Sequence, residues 1–385
     1  MKRFLSELEK RLPVQSFLRK HLCEYQVPQS LNIWYVFGLL AVILVVNQFL
    51  SGIYLAMFYM PSINQAFASI QTIMHDVPSG WFIRYLHTTG ASFLFVVLYL
   101  HMFRGLLYGS YRKPRELVWG VGVVLFILML LQSFLGYVLP WGQMSYWGAE
   151  VATSAIGGLP WIGPALMGWV RGSLEVGAPL LQRFYALHVI AVPLLILYII
   201  KLHIVAIRYV GSSTPTEEKY PVKIAFFPNH IAKESFAIAV FVTIFFAIVF
   251  FAPEMGGIFI EPINAIAADP MQTPMVIHPP WYITPYFAML RCIPNLFVGV
   301  IIVILSLLLW FCLPLLDKGQ QRVLALKPKI FQCMVYVFAF NYIALGFLGW
   351  FELSVWSLWC SRCSILFYFL FFMGMPWYSR IGETV

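Results

Sequence analysis

Two apolar runs carry histidines at a spacing that metal chemistry can use. RYLHTTGASFLFVVLYLHMFR, from Arg84 to Arg104, holds His87 and His101, and RFYALHVIAVPLLILYIIKLHIVAIR, from Arg183 to Arg208, holds His188 and His203. At ~100° and ~1.5 Å per residue, a separation of fourteen puts His87 and His101 about 40° apart in azimuth and ~21 Å apart along the axis. Each helix therefore offers one imidazole near each membrane face, and two such helices side by side form two bis-imidazole sites, one above the other. An iron macrocycle held by two imidazoles has no open coordination position, which suits electron transfer rather than oxygen chemistry. A lone histidine inside a membrane more often relays a proton or makes a hydrogen bond. Here four of the chain's eight histidines share the pattern, which favours ligation. Structural zinc is argued against, because no cysteine or carboxylate stands within ligand spacing of these histidines.

Glycines repeat the interval. Gly38 and Gly52, then Gly122 and Gly136, are each fourteen apart. A residue without a side chain lets a helix backbone approach a flat macrocycle, and small residues also help membrane helices pack together. The shared interval favours two haems.

The elements that must hold these residues follow from composition. With 61% hydrophobic and 11% charged residues and a mean hydropathy of +0.81, the chain reads as an all-α polytopic membrane protein. Apolar runs predict eight transmembrane helices near 32–58, 82–107, 117–137, 180–207, 233–252, 294–314, 330–349 and 363–378, the first four forming a di-haem four-helix bundle. The expected organisation is an amphipathic N-terminal segment (1–31), the bundle (32–210), a negative-side loop (211–232) and a four-helix C-terminal part (233–385). With the N-terminus on the negative side, that side collects all but five of the 25 basic residues, the exceptions being Arg84, Arg171, Arg183, Arg291 and Arg362. The positive-inside rule thus sets an even span count and an orientation. The formal charge of +9 is topological and implies no nucleic acid. No cleavable signal is expected at the charged N-terminus. The six cysteines mostly sit in apolar stretches, and Cys360 and Cys363 read as incidental.

Two long connections lie on the less basic side. Residues 140–178 are rich in aromatic and small residues, as short interfacial helices are. Residues 253–293 are dense in proline and end in PPWYITPYFAMLRCIPN. Irregular backbone at membrane depth persists only when it is buried in protein or lines a cavity, so the two connections are expected to wall one pocket.

Long segments carry a resemblance: NQFLSGIYLAMFY at 47–59, IRYLHTTGAS at 83–92, GSYRKPRELVWGVG at 109–122, GYVLPWGQMSYWGAE at 136–150 and LRCIPN at 290–295. Along essentially its whole length the chain resembles the cytochrome b family, the haem-bearing core subunits of quinol:cytochrome c oxidoreductase (the cytochrome bc1 complex, respiratory complex III). The resemblance implies two haem b groups, His87 and His188 holding the low-potential haem and His101 and His203 the high-potential one, with Arg84 and Arg104 beside the propionates. It implies ubiquinol oxidation at a positive-side pocket formed by Tyr137, Pro140, Trp141, Gly142 and Pro279, Pro280, Trp281 and Tyr282. One electron goes to a Rieske iron–sulfur protein and the other through the haems to a negative-side site at Ser212, Lys233 and Glu234, coupled to proton translocation. Cytochrome c1, the other subunits of complex III and a homodimer are implied partners. The mitochondrial inner membrane is the implied location, with the bacterial plasma membrane as alternative.

Four departures from that family pattern stand out. Arg208 stands where mitochondrial relatives commonly have histidine, and Glu234 where they have aspartate. His188 and His203 are fifteen apart, one more than usual. That predicts a wide turn, a π-bulge or a compensating rotation between them. The motif usually read Pro-Glu-Trp-Tyr is Pro-Pro-Trp-Tyr here, so the second quinol proton must leave by another group. His278 is the nearest titratable candidate, with Tyr137, Tyr282 or Tyr286 as relays. Two other readings are weighed. A ferric reductase or NADPH oxidase core calls for a Gly-rich dinucleotide fingerprint that this sequence lacks, and a proton-coupled transporter predicts no haem at all.

Overall fold

A computed structural model describes residues 9–218 and 222–381. Lys2, Arg3 and Lys219, counted above on the negative side, lie outside the described residues. Among those described, eight helices are long and apolar enough to cross a membrane: α1 (Ile33–Ala56), α3 (Gly80–Leu107), α4 (Glu116–Val138), α7 (Ala178–Val210), α8 (Phe226–Phe251), α10 (Leu296–Leu316), α11 (Lys329–Trp350) and α12 (Val355–Tyr378). Shorter helices lie between them: α2 (Ala66–His75), α5 (Gln143–Gly157), α6 (Gly163–Arg171) and α9 (Thr284–Arg291). Helices of this length bond most interior backbone groups within the segment, which is what a hydrocarbon environment demands.

Helix α8 begins at Phe226, seven residues before the sequence expectation. Helix α12 begins at Val355, eight residues early, because Ser354 and Ser357 form a reciprocal capping box that starts the helix despite polar residues in its first turns. From residue 9 on, the N-terminal segment is not one amphipathic helix. Past Pro13 it makes a five-residue helix, Val14–Leu18, then a strand β1 (Gln26–Pro28) that pairs antiparallel with β2 (Lys223–Ala225). The N-terminal segment is thereby tied to the loop after α7.

Helices α1 and α3 form one closely packed pair, and α4 and α7 another. The C-terminal helices dock on the outside of this bundle, α8 against α3 and α10 against α4. The second seam is pinned by Trp119, whose indole N–H donates to the Trp310 carbonyl at 2.7 Å.

Beside that seam, Lys327 Nζ bonds both Asp317 oxygens at 2.7 and 2.8 Å, with side chains 1% and 0% exposed, and the Tyr111 hydroxyl donates to Oδ2 at 2.6 Å. Removing one member strands a buried charge, a loss of about 3–5 kcal/mol, whereas replacing both is close to neutral. Lys327→Met is expected to destabilise by about that amount, and Lys327→Met with Asp317→Asn to recover most of it. Denaturant titration in detergent reads the difference, and equal stability of the single variant and the parent would contradict the assignment.

Candidate functional site

Each of the four candidate histidines faces one of the four spaced glycines. A Cβ at Gly38 would lie 3.3 Å from His101 Cε1, at Gly52 3.1 Å from His87 Cε1, at Gly122 3.3 Å from His203 Cε1 and at Gly136 2.3 Å from His188 Cε1. The glycines of α1 and α4 thus leave room for the imidazoles of α3 and α7.

The His87 and His188 rings stand with centroids 6.2 Å apart and planes at 83°. Two imidazoles bound to one metal through bonds of about 2.0 Å have centroids about 6 Å apart, so this pair fits a shared iron. The hydrogen bonds select the tautomer. Ser51 Oγ donates to the Asn47 carbonyl at 2.5 Å and therefore accepts from His87 Nδ1, 3.0 Å away. His188 Nδ1 donates to the Gln132 carbonyl at 2.9 Å. Both rings then keep their protons on Nδ1 and present bare Nε2 atoms, the arrangement that orients a histidine for a metal.

The extra residue between His188 and His203 is absorbed by a π turn at Leu187–Ala191, where Val192 N–H donates to the carbonyl of Leu187, five residues back. In that register the next donor would serve the His188 carbonyl, but Pro193 has none. Gln132 fills the gap, its Nε2 donating to the His188 carbonyl at 2.8 Å. Gln48 does the same for the His87 carbonyl at 3.0 Å. Sequence reasoning missed both glutamines, although each stands four residues before one of the spaced glycines. Gln132→Leu leaves a buried carbonyl unpaired and loosens His188. We expect a 10- to 100-fold loss of haem affinity at that site, the usual effect of losing a ligand's supporting partner. Haem retention on dilution measures it, and retention equal to the parent would refute it.

His101 and His203 line a cavity of about 450 Å³, within the range that small-molecule and cofactor sites occupy. Arg104 and Arg115 line it too. Among the described residues, His101 Nδ1 and Arg104 Nε are buried without a hydrogen-bond partner, and the Arg104 guanidinium lies 4.6 Å over the Tyr35 ring. An imidazole and a buried cation facing one cavity match a macrocycle that needs an axial ligand and carries carboxylates. Arg84 lies at the other end of α3, beside Tyr85, Pro140 and Glu254 around a small cavity.

The same large cavity extends to Tyr25, Arg208, Ser212, Phe226, His230 and Glu234. Of the expected residues, Arg208, Ser212 and Glu234 come together there. Lys233 does not, since it is exposed on the outer side of α8. On a helix Lys233 lies about 100° from Glu234 in azimuth, and His230, one turn before Glu234, takes the inward position.

At the opposite end the two long connections join. Gly142 bridges Ala267, Ala268 N–H donates to the Trp141 carbonyl at 3.1 Å, and Gln143 N–H donates to the Ile266 carbonyl at 3.0 Å. Trp141 adopts a left-handed backbone (φ 54°), uncommon for so bulky a side chain and held by these surrounding bonds. A Cβ at Gly142 would lie 2.2 Å from the Asn264 carbonyl oxygen. Tyr282 stacks on Phe95 at 3.9 Å and Trp281 Nε1 donates to Ser92 Oγ at 3.2 Å. Tyr286 is buried, its ring against Tyr342.

A carboxylate that the sequence reading did not single out lies where these connections meet. Glu261 is 5% exposed, accepts from the Tyr137 hydroxyl at 3.0 Å and has Oε1 3.8 Å from His278 Nδ1. Burial pushes its carboxyl up to about 7, while burial pulls His278 down from its ordinary value. His278 also stacks on Trp350 at 4.1 Å and has Nδ1 3.2 Å from the Pro279 carbonyl. The signal in the sequence was a glutamate inside an apolar, proline-rich stretch, IFIEPINAI, where an unpaired charge is costly.

Eight spans around two histidine pairs make this a membrane-spanning protein of the haem-binding, electron-transfer class. Residues 22–211 match the family described as Cytochrome b/b6/petB, and residues 267–369 the one described as Cytochrome b(C-terminal)/b6/petD. A cytochrome b of Allochromatium vinosum is 43% identical over 99% of this chain and 96% of its own length, and one of Triticum aestivum is 39% identical over 97% and 93%. A solved structure described as a hyperthermophilic respiratory complex III superimposes with a TM-score of 0.91 at 34% identity, covering 97% of this chain and 98% of its own. The chain belongs to the cytochrome b family, whose members bind haem b.

Proposed function

We infer that the chain is the haem-bearing core subunit of a quinol:cytochrome c oxidoreductase and that it oxidises quinol on one membrane face and reduces quinone on the other. The observation that carries this reading is the pairing of four histidines with four glycines, at two levels of one bundle. When bound, two haem b groups supply a one-electron relay between the faces. His87 and His188 would hold one, His101 and His203 the other, and Arg84 and Arg104 would face their carboxylates.

At the pocket built from Tyr137, Pro140, Trp141, Gly142 and residues 278–286, the ring of a quinol, ubiquinol by the family resemblance, would lie among Tyr282, Trp281 and Tyr286. Oxidation to quinone releases two electrons and two protons. One electron leaves to a Rieske iron–sulfur partner and the other crosses the bundle. Pro280 offers no acceptor for the second proton. Glu261 does, with Tyr137 and His278 beside it. At the opposite cavity, Arg208, Ser212 and Glu234 would surround a quinone.

Cytochrome c1, further subunits of the complex and a second copy of the chain are the partners this reading calls for. The distribution of basic residues supports an N-terminus on the negative side. The Allochromatium vinosum relative favours the bacterial plasma membrane over the mitochondrial inner membrane. A pyridine haemochrome assay on the purified protein tests the reading: two b-type haems per chain are expected, and none would overturn it.

A further inference from the structure

We infer that His230 binds the quinone at the cavity beside His101 and His203, donating a hydrogen bond to a quinone carbonyl oxygen while Glu234 holds the imidazole in place. This rests on the reading of that cavity as the quinone-reduction site and adds to it a residue on α8.

The cavity offers few polar groups for a neutral carbonyl ligand. Arg115 is committed to backbone, its Nε donating to the Gly211 carbonyl and an Nη to the Ser212 carbonyl, both at 3.1 Å. Ser213 Oγ shares a 2.7 Å bond with Ser110 Oγ. The Arg208 guanidinium lies 4.7 Å over the Tyr25 ring. His230 is different. It lines the cavity, is 5% exposed, and has Nε2 3.4 Å from Glu234 Oε1, one helical turn on. Its ring is held against Phe226 at 5.5 Å. A wide turn at Phe226–His230, opened by extended backbone at Phe227, starts the helix and brings both His230 and Glu234 to the cavity.

A carboxylate 3.4 Å from Nε2 restrains the ring and leaves Nδ1 as the ring atom that meets a ligand. A donor there suits the acceptor-only oxygen of a quinone carbonyl. The aromatic flank of Phe226 and Tyr25 suits the flat ring of such a ligand.

The probe is a short-tail benzoquinone labelled with ¹³C at its carbonyl carbons, bound to the assembled complex with both haem spectra verified. Isotope-edited infrared difference spectra read the carbonyl stretch, and equilibrium dialysis reads affinity. The parent is expected to show a carbonyl band shifted down by hydrogen bonding. His230→Phe should lose that component and bind about tenfold or more weakly, the size of effect expected when a buried hydrogen-bond partner is removed. His230→Gln, which keeps a donor, should retain part of the shift. Glu234→Gln keeps the side-chain size while releasing the imidazole, and should weaken the shift without moving either haem band. A His230→Phe complex with unchanged band and affinity overturns the proposal. If that variant does not assemble, an unaltered band in Glu234→Gln overturns it instead. A parent complex that carries both haems but shows no downshifted component equally overturns it, while leaving the haem reading intact.

Discussion

Replacing Glu261 by glutamine is expected to slow quinol oxidation by about 10²-fold, the usual worth of a general base, while leaving both haem spectra intact. The carboxyl's ordinary value is 4.5, and burial raises it to about 7. Only the ionised form accepts a proton. Below pH 7 Glu261 is mostly protonated, so the parent rate should fall as pH is lowered through about 7 and level off above it. Glu261→Gln should lose that limb along with the rate. His278→Ala should have the smaller effect, because burial lowers the histidine below its ordinary value and Tyr137, not His278, makes the direct bond to Glu261. Adding Pro280→Glu to Glu261→Gln should restore part of the rate, since a carboxylate would return to the same pocket from the other wall. Stopped-flow reduction by quinol between pH 5.5 and 8.5 separates these cases. An unchanged limb in Glu261→Gln with a lost limb in His278→Ala would move the role to the histidine.

His101→Leu should abolish one of the two haems outright and spare the other. The His101 site would take one ligand from α3 and one from α7, and leucine cannot supply the first. The His87 and His188 pair is held by its own partners, Ser51 and the Gln132 backbone, neither of which touches His101. One b-type haem per chain, with quinol still able to reduce it, is the expected result. His188→Leu should remove the other haem and leave the first. Assembly of the complex is checked beforehand, because loss of both haems from a single change reports unfolding. Full retention of both spectra in His101→Leu would refute the ligand assignment.

Much of this was legible in the chain because it is periodic and local. A run of about twenty apolar residues crosses a bilayer whatever its neighbours do, so eight spans and their rough limits could be read directly. The fourteen-residue interval of His87 and His101, and of the glycines on α1 and α4, is set by helix pitch alone. Even the surplus residue between His188 and His203 announced a local widening, and the π turn at Leu187–Ala191 supplies it. The serine capping box that starts α12 early is also local.

What the chain alone did not disclose depends on segments far apart in sequence meeting in space. Glu261 reaches Tyr137, 3.0 Å away, only because its loop folds onto the Trp141 and Gly142 segment. Nothing in the spacing of residues 137 and 261 encodes that meeting. Lys233 looked as suitable as Glu234 until the azimuth of α8 turned it outward and His230 inward, and that azimuth is decided by how α8 packs on α3 and by the wide turn at its start. The sequence by itself determined the spans and the heights of the four histidines, because helix pitch and bilayer thickness are fixed lengths. The tertiary structure decided which titratable groups face the two pockets, because loop closure and helix rotation are settled by packing between distant segments.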